Sequence, residues 1–451
     1  MLWLALPVLA EELLNMLVGY ADWWLTGHFL EGTQYQAAMA LMAYILWLLP
    51  SLFAAVAIGA TAMTSRFVGA GDAKAANRVT NQAVIAGIAL AVVATVCAFF
   101  LGSTFVTMLQ LEGEAAALAT RYLMILVPVM PAIMIEQVGI ACLRGAGDTV
   151  SGLVVKTIVN IINVALSFAL VIGLGPFPEL GWVGLAIGTA CGHGMGGLIV
   201  LGLLLFGRAG LRLETRLLRP DRDLIRRLMR IGLPGGADVL AVLSCHLWYA
   251  AIINSLGTLQ AAAHGLGVMI ESMAYLPGSA FSVAAATMAG QYLGAGDSPK
   301  AVHSVLTACL VGMAVMSAAG LVFYFGADQL TGFFLRDDQR ETAERTAALL
   351  RVVAFSMPSL ALVMILTGAL RGAGDTRWPL LFTFIGLLGI RIPGAYLLAW
   401  DEIQLPLVDV TIQCFNLSVI GAWYAMVVDT VVRSVLVVYR FWHGGWKGLR
   451  V

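Results

Sequence analysis

The sequence predicts an all-α polytopic membrane protein of about 12 transmembrane helices in two pseudo-symmetric six-helix lobes. Three observations carry that reading. Hydrophobic residues make up 60% of the 451 residues, charged residues only 12%, and mean hydropathy is +0.90, whereas a soluble domain carries about 25% charged residues. The apolar runs are long enough to span a bilayer, which takes roughly 20 residues per helix. The chain also repeats itself: "ACLRGAGDT" at 141–149 returns as "GALRGAGDT" at 368–376, 227 positions later. "FVGAGDAKA" at 67–75 returns as "YLGAGDSPKA" at 292–301, and the Leu-Pro ending at Pro7 returns at Pro234. Three landmarks in one order at nearly one offset indicate a duplication of half the chain.

In order, the apolar runs fall at about 1–30, 36–66, 77–106, 118–143, 150–174, 181–206, 232–255, 261–291, 302–331, 346–370, 377–399 and 418–442. They divide into a first lobe (1–207), an arginine-rich linker (208–231) and a second lobe (232–451). Barrel strands would alternate polar and apolar residues, and these runs do not. With the N-terminus inside, 18 of the 26 Lys and Arg lie in cytoplasmic loops and the C-terminal tail, five lie on the opposite side, and Lys156, Arg391 and Arg433 fall within spans. That bias fits the positive-inside rule and places both termini in the cytoplasm. The zero net charge conceals it, and nucleic-acid binding is not expected.

The linker "RAGLRLETRLLRPDRDLIRRLMR" at 208–230 carries eight arginines and is expected to set topology as an amphipathic helix along the cytoplasmic leaflet. Six cysteines without CxxC spacing argue neither zinc nor a disulfide framework. No cleavable signal peptide is evident, since the first apolar run is too long. Pro7 lies so near the start that a short preceding N-terminal tail is expected.

The repeated loops read structurally. Glycines permit turns with positive φ; Asp72, Asp148, Asp297 and Asp375 are placed to cap or salt-bridge the next helix. Arg144 and Arg371 suit the negative ends of their helices. Phosphate binding is disfavoured, because no lysine and hydroxyl follow the glycines.

These residues also carry a family likeness. "GAGD" after the second and eighth spans and "LRGAGDT" after the fourth and tenth resemble the multidrug and toxic compound extrusion (MATE) family. So do the Leu-Pro at the start of each half, "GPFPELG" at 175–181 and "IESMAYLPGSAFSVAAATMAGQYLGAGD" at 270–297. The resemblance covers essentially the whole chain. It implies a V-shaped pair of six-helix lobes that exports substrate by alternating access, driven by a proton or sodium gradient. Duplicated halves with sites near the bilayer midplane are common among transporters. No cofactor or metal is expected beyond the transported ion.

An ionisable residue within a span is costly and by default a functional hypothesis. Asp22 lies 15 residues after Pro7; that spacing resembles the family motif whose aspartate takes part in cation coupling. A carboxylate there could exchange a proton or, ionised, ligate sodium. Glu11 returns to nearly the same face of the first span, roughly 16 Å away along the axis, with Glu12 about 100° around from it. Lys156, Asn160, Asn163 and Ser167 form a polar stripe on the fifth span, either a cavity wall or interhelix glue. Asn163 matches a motif asparagine of the family, while Ser167 stands near where one branch of the family would have an aspartate. An acidic pair between the first and fifth spans is therefore not expected.

In the second half Glu271 precedes Pro277 by six residues, and the resemblance implies an acidic residue lining the lobe interior there. The seventh span offers Asp238 and His246; a lone membrane histidine is more often a packing residue. Glu136 in the fourth span faces either a cavity or a neighbouring partner. Asp429 and Arg433, four apart, can neutralise each other, and Arg391 needs Asp429 or Glu271 as partner, or snorkels.

The expected partners are a small amphipathic organic cation and membrane lipid, with the protein acting as a monomer in the cytoplasmic (inner) membrane. Nineteen Met, nineteen Phe and eleven Trp suffice to line an adaptable apolar cavity. The leading function is a cation-coupled antiporter for organic compounds and drugs. The alternative is a flippase or exporter of a lipid-linked or amphiphilic metabolite. An enzyme is not expected, since neither HExxH nor GxSxG occurs.

Overall fold

The computed structural model describes residues 1–108, 113–335, 339–405, 410–449 and 451. The first half runs α1 (Leu2–Phe29), α2 (Thr33–Gly69), α3 (Ala73–Met108), α4 (Gly113–Leu126), α5 (Met130–Gly145), α6 (Thr149–Ile172) and α7 (Trp182–Leu205). The second runs α8 (Arg222–Asn254), α9 (Thr258–Gly294), α10 (Ser298–Phe325), α11 (Ala327–Phe334), α12 (Arg340–Ala354), α13 (Met357–Gly372), α14 (Arg377–Thr383), α15 (Ile392–Ala399) and α16 (Ser418–His443). A π-helical segment, Phe384–Arg391, joins α14 to α15. The chain divides into two compact units: a first of Leu2–Gly236 with Gly294–Gly296 and Val451, and a second of Ala237–Leu293 and Asp297–Arg450 with Met1.

Among the described residues ten helices are long and apolar enough to cross a membrane, and the bent pair α12–α13 makes an eleventh. The 37-residue α9 is long enough, but its Gly, Ser, His264, Glu271 and Tyr275 dilute its apolar content. Prolines break matching places in the two halves. Pro128 and Pro131 interrupt the fourth span with a 3-10 turn at Val127–Val129, and Pro358 accompanies a 57° bend between α12 and α13. Proline lacks the N–H and clashes with the preceding turn, so a helix restarts there with proline in its first turn. A small feature absent from the sequence reading is the antiparallel hairpin of β1 (Glu402–Leu405) and β2 (Val410–Gln413) before α16.

All four GAGD loops end their helices in the same way. The second glycine has φ of 72° at Gly71, 93° at Gly147, 75° at Gly296 and 88° at Gly374. The following aspartate N–H donates five residues back, as from Asp72 to Phe67 O at 3.0 Å and from Asp375 to Leu370 O at 2.8 Å. This is the left-handed cap that glycine alone adopts without strain. It uses amides that a phosphate would need. Asp72, Asp148 and Asp297 then accept from the N–H of Ala75, Ser151 and Lys300.

One expectation is corrected. Residues 208–221 are not an amphipathic helix but an irregular strap with two 3-10 turns; the arginines from 222 to 230 form the start of α8. The polar run at the start of α3 holds the strap. Asn77 Oδ1 accepts from Arg212 N, Asn81 Oδ1 from Glu214 N and Gln82 Oε1 from Asp221 N, at 2.6, 3.0 and 2.8 Å. Asn81 and Gln82 donate back to Arg212 O and Leu217 O, both at 2.8 Å. Backbone groups satisfied by these side chains have no need of a helix. Two of the cations counted in the loops, Arg336 and Arg450, lie outside the described residues.

Candidate functional site

The helix-end arginines do more than face a dipole. In the first unit Arg144 at the end of α5 binds Glu11 of α1 at 2.6 Å. In the second, Arg371 at the end of α13 binds Asp238 of α8 at 2.5 Å. Both pairs join residues 133 apart, so the duplication copied a buried ion pair, with glutamate in one half and aspartate in the other. Each ties the opening helix of its half to the GAGD turn after the fourth span. Glu12, beside Glu11, lies within electrostatic reach of the same arginine.

Deeper in the first unit lies Asp22, buried on α1. Its backbone carbonyl accepts from Thr26 Oγ1 at 2.8 Å, but carboxylate Oδ1 is buried without a hydrogen-bond partner among the described residues. The Asn160 Nδ2 to Asn15 Oδ1 bond at 3.3 Å and the Phe29–Phe168 edge contact at 6.1 Å cross-link α1 and α6 on either side of it. That register puts Asp22 beside the stretch of α6 that carries Asn163. Asn163 Nδ2 donates to Thr189 Oγ1 at 3.0 Å, and Tyr122 OH lies 2.8 Å from the same oxygen. Thr189 donates its single proton to Leu185 O at 3.2 Å, so Tyr122 is the donor in its pair. Tyr122 also lies within electrostatic reach of Asp22. Asn163 Oδ1, like Asp22 Oδ1, is buried without a hydrogen-bond partner among the described residues. Among the described residues the neighbourhood offers a carboxylate and neutral oxygens without a cation paired to Asp22, which suits a proton or a small hard cation.

The stripe on α6 turns toward neighbouring helices. Lys156 Nζ binds Glu136 Oε1 of α5 at 2.5 Å, Asn160 meets α1, and Asn163 and Ser167 meet α7, with Ser167 Oγ 3.5 Å from Leu185 O. A glycine face on α7 permits the approach. A Cβ at Gly192 would meet Val159 O at 2.9 Å and Asn163 Cβ at 3.2 Å. Glu136 is also held from the far side by His193 Nδ1 at 2.8 Å, which makes a Lys–Glu–His chain across three helices with a buried lysine and glutamate and a half-buried histidine. Sequence reading did not single out His193, Tyr122 or Thr189. For His193 the available signal was its place in the glycine-rich "ACGHGMGG".

The second unit keeps a different set. Glu271 on α9 is half-buried. No ion pair joins it to a cation among the described residues, although Arg391 lies within its electrostatic reach. His246 Nδ1 donates along its own helix to Val242 O at 2.7 Å. Asp429 of α16 receives two arginines: Arg391 of the π-helical segment through Nε and Nη2 at 2.9 and 2.8 Å, and Arg433 through Nε and Nη2 at 2.7 and 2.8 Å. Both partners suggested by sequence for this aspartate are present together. The Tyr249 ring faces the Arg391 guanidinium at 5.8 Å. Trp423 Nε1 donates to His264 at 3.2 Å, and His264 meets Tyr249 edge-on at 5.7 Å. Gly386 makes the cluster possible, since a Cβ there would collide with Asp429 Oδ1 and the Arg433 side chain.

Comparison with known proteins follows the same two-fold pattern. The MatE family model matches residues 7–169 and again 234–397. The chain is 28% identical over 444 residues to the probable multidrug resistance protein NorM of Thermotoga maritima, covering 98% of this chain and 92% of that one. It is 24% identical over 443 residues to multidrug resistance protein MdtK of Pectobacterium atrosepticum, covering 97% and 93%. Among solved structures, an outward-facing multidrug resistance MATE family transporter of the MOP superfamily superposes with TM-score 0.88 at 19% identity, covering all of this chain and 96% of that one. A MATE in complex with MaL6 superposes equally well, covering 99% and 96%. At these identities the structures establish the shared fold.

Proposed function

The chain belongs to the MatE family, and on that premise we propose that it is a multidrug efflux transporter. It exports amphipathic organic compounds, cations among them, by antiport against protons or sodium. The observation that carries the coupling is Asp22: a buried carboxylate oxygen without a hydrogen-bond partner among the described residues, set among neutral hydrogen-bonding groups. A bare buried charge of this kind is expensive. It is relieved when a proton or metal cation arrives, so ion occupancy can bias the equilibrium between inward-open and outward-open states. Glu271 supplies a second acidic group in the other unit. Asn160, Asn163 and Ser167 hold α6 against α1 and α7 beside Asp22, and Glu136 and His246 complete the ionisable set. The 18-to-5 division of basic residues supports a cytoplasmic-membrane protein with both termini inside, working as a monomer whose lobes are 1–207 and 232–451, joined by 208–231.

Everted vesicles containing the protein test this directly. Uptake of a fluorescent organic cation should follow an imposed proton or sodium gradient, collapse with an ionophore, and fall at least about tenfold in Asp22→Asn, given the cost of intramembrane charge that drives coupling. Gradient-independent uptake by the wild type defeats the antiport reading. Full coupled uptake by the variant removes Asp22 from it.

A further inference from the structure

The second unit holds a positive charge that its fold does not require. Asp429 is fully buried and Arg391 nearly so, while the Arg433 side chain keeps 12% of its surface exposed. Four N–H groups, two from each arginine, converge on the one carboxylate. Three reach Oδ2 and one reaches Oδ1, so both oxygens of a carboxylate with about four lone-pair sites are engaged. Among the described residues, two guanidiniums against one carboxylate leave one positive charge without an ion-pair partner, and Glu271, an acidic group within electrostatic reach of Arg391, forms no ion pair with either. Burying such a charge without an answering anion is costly.

Stapling alone does not explain the arrangement. Arg391 already ties the π-helical segment to α16. Arg433 lies on α16 itself, four residues from Asp429, packs against Gly386 of that same segment, and forms no ion pair with a further element among the described residues. It adds charge and N–H groups. The more exposed partner is this cation, and guanidinium forks recognise carboxylate and phosphate oxygens in pairs.

We propose that Arg391 and Arg433, held by Asp429, form a subsite for the acid group of an amphiphilic substrate, a carboxylate or a phosphate. Asp429 orients both forks and lowers their net charge to one, so that a monoanion is matched and can still leave. The Tyr249 ring, 2% exposed, steadies Arg391 from its face. This deepens the efflux reading and rests on it: the substrate class extends from organic cations to zwitterions and organic acids.

The test uses the full chain in nanodiscs of neutral lipid and a fluorescent quinolone with a free carboxylate beside its methyl ester. Wild type should bind the acid more tightly than the ester. Arg433→Gln leaves Asp429 neutralised by Arg391, and should lower the acid-to-ester affinity ratio about tenfold, the usual worth of a hydrogen-bonded charge. Arg433→Lys, which keeps charge but loses the fork, should lower it less. In the wild type, octanoate and octyl phosphate should displace the acid while octylammonium does not; their relative strength tells carboxylate from phosphate. Equal wild-type binding of acid and ester, an unchanged ratio in Arg433→Gln, or displacement by octylammonium as strong as by octanoate overturns the subsite. Should Arg433→Gln not fold, the wild-type ratio and the competitors decide alone. Vesicles without gradient-driven transport would defeat the efflux reading while leaving this ratio measurable, whereas transport with a flat ratio defeats the subsite only.

Discussion

At the repeat position where the first unit carries Asp22, the second carries Tyr249, 227 residues later. Around Asp22 stand neutral groups, Asn163, Thr189 and Tyr122; around Tyr249 stand Arg391, Asp429 and His264. One interior is short of positive charge and the other has it in excess. The helix ends at the GAGD turns, by contrast, were kept alike: the same glycine caps, and the same buried ion pair from opening helix to fourth span. Duplication preserved what holds each helix set together and let the interiors diverge, which is where two copies can take up different tasks.

The largest effect that would sharpen this contrast is on transport. Asp22→Asn should abolish gradient-driven uptake, whereas Tyr249→Phe, which keeps the ring under Arg391, should leave the ion requirement in place and change uptake less than about twofold, as expected for a hydroxyl without a hydrogen-bond partner among the described residues. Vesicle uptake at fixed gradient measures both.

Next in size is the shared scaffold. Arg144→Leu strands Glu11, and Arg371→Leu strands Asp238, both carboxylates 3% exposed or less. Each should cost about 3–5 kcal/mol, read as a lower apparent melting temperature in detergent. Removing the partner as well, in Glu11→Leu/Arg144→Leu, should recover most of it, since a packed apolar pair replaces a buried ionic one at little cost. Unequal losses in the two units would break the claim that the pairs are equivalent.

Smaller again is Gly386→Ala, which forces a methyl against Asp429 and Arg433. Overpacking of this kind costs about 1–3 kcal/mol. A comparable loss from Gly202→Ala, where open space surrounds the Cβ, would argue against a local clash.

The smallest effect concerns the two "GAGDT" aspartates. Burial acts to raise the Asp148 carboxyl, but the Ser151 N–H and hydroxyl and the Arg208 guanidinium outweigh it and hold it below its ordinary range. Asp375 is more deeply set, and burial outweighs Arg440 to push it up. The depressed group stabilises above its unfolded-state value, and that contribution is lost as pH falls through its folded value. The raised group has the opposite sign, becoming less unfavourable as pH falls toward the carboxylate range. Asp148→Asn should therefore flatten the acid-side loss of stability, and Asp375→Asn should steepen it, in melting curves taken across that range. Asp148→Ala should cost about 1 kcal/mol as a lost helix cap.

Much of the scaffold was legible beforehand. Apolar runs of span length, the offset of 227 and the glycine-aspartate loops are local signals, because a helix and its cap are decided by neighbours in the chain. A further echo, Pro50 of α2 and Pro277 of α9 at the same offset, strengthens the duplication and was available to sequence reading. The strap at 208–221 was not legible: eight arginines suggest an amphipathic helix, but Asn77, Asn81 and Gln82, more than 130 positions away, supply the hydrogen bonds that make another path stable.

By itself, then, the sequence determined the class, the repeat, the capped turns and the shortlist of intramembrane charges, because each follows from composition or from spacing of a few residues. Only the tertiary structure decided the pairing of those charges: Glu11 with Arg144, Asp238 with Arg371, Glu136 with Lys156 and His193, Asp429 with two arginines, and Asp22 Oδ1 with none among the described residues. The reason is that an ion pair depends on distance through space, set by which helix faces pack together, while a helix and its cap depend on distance along the chain.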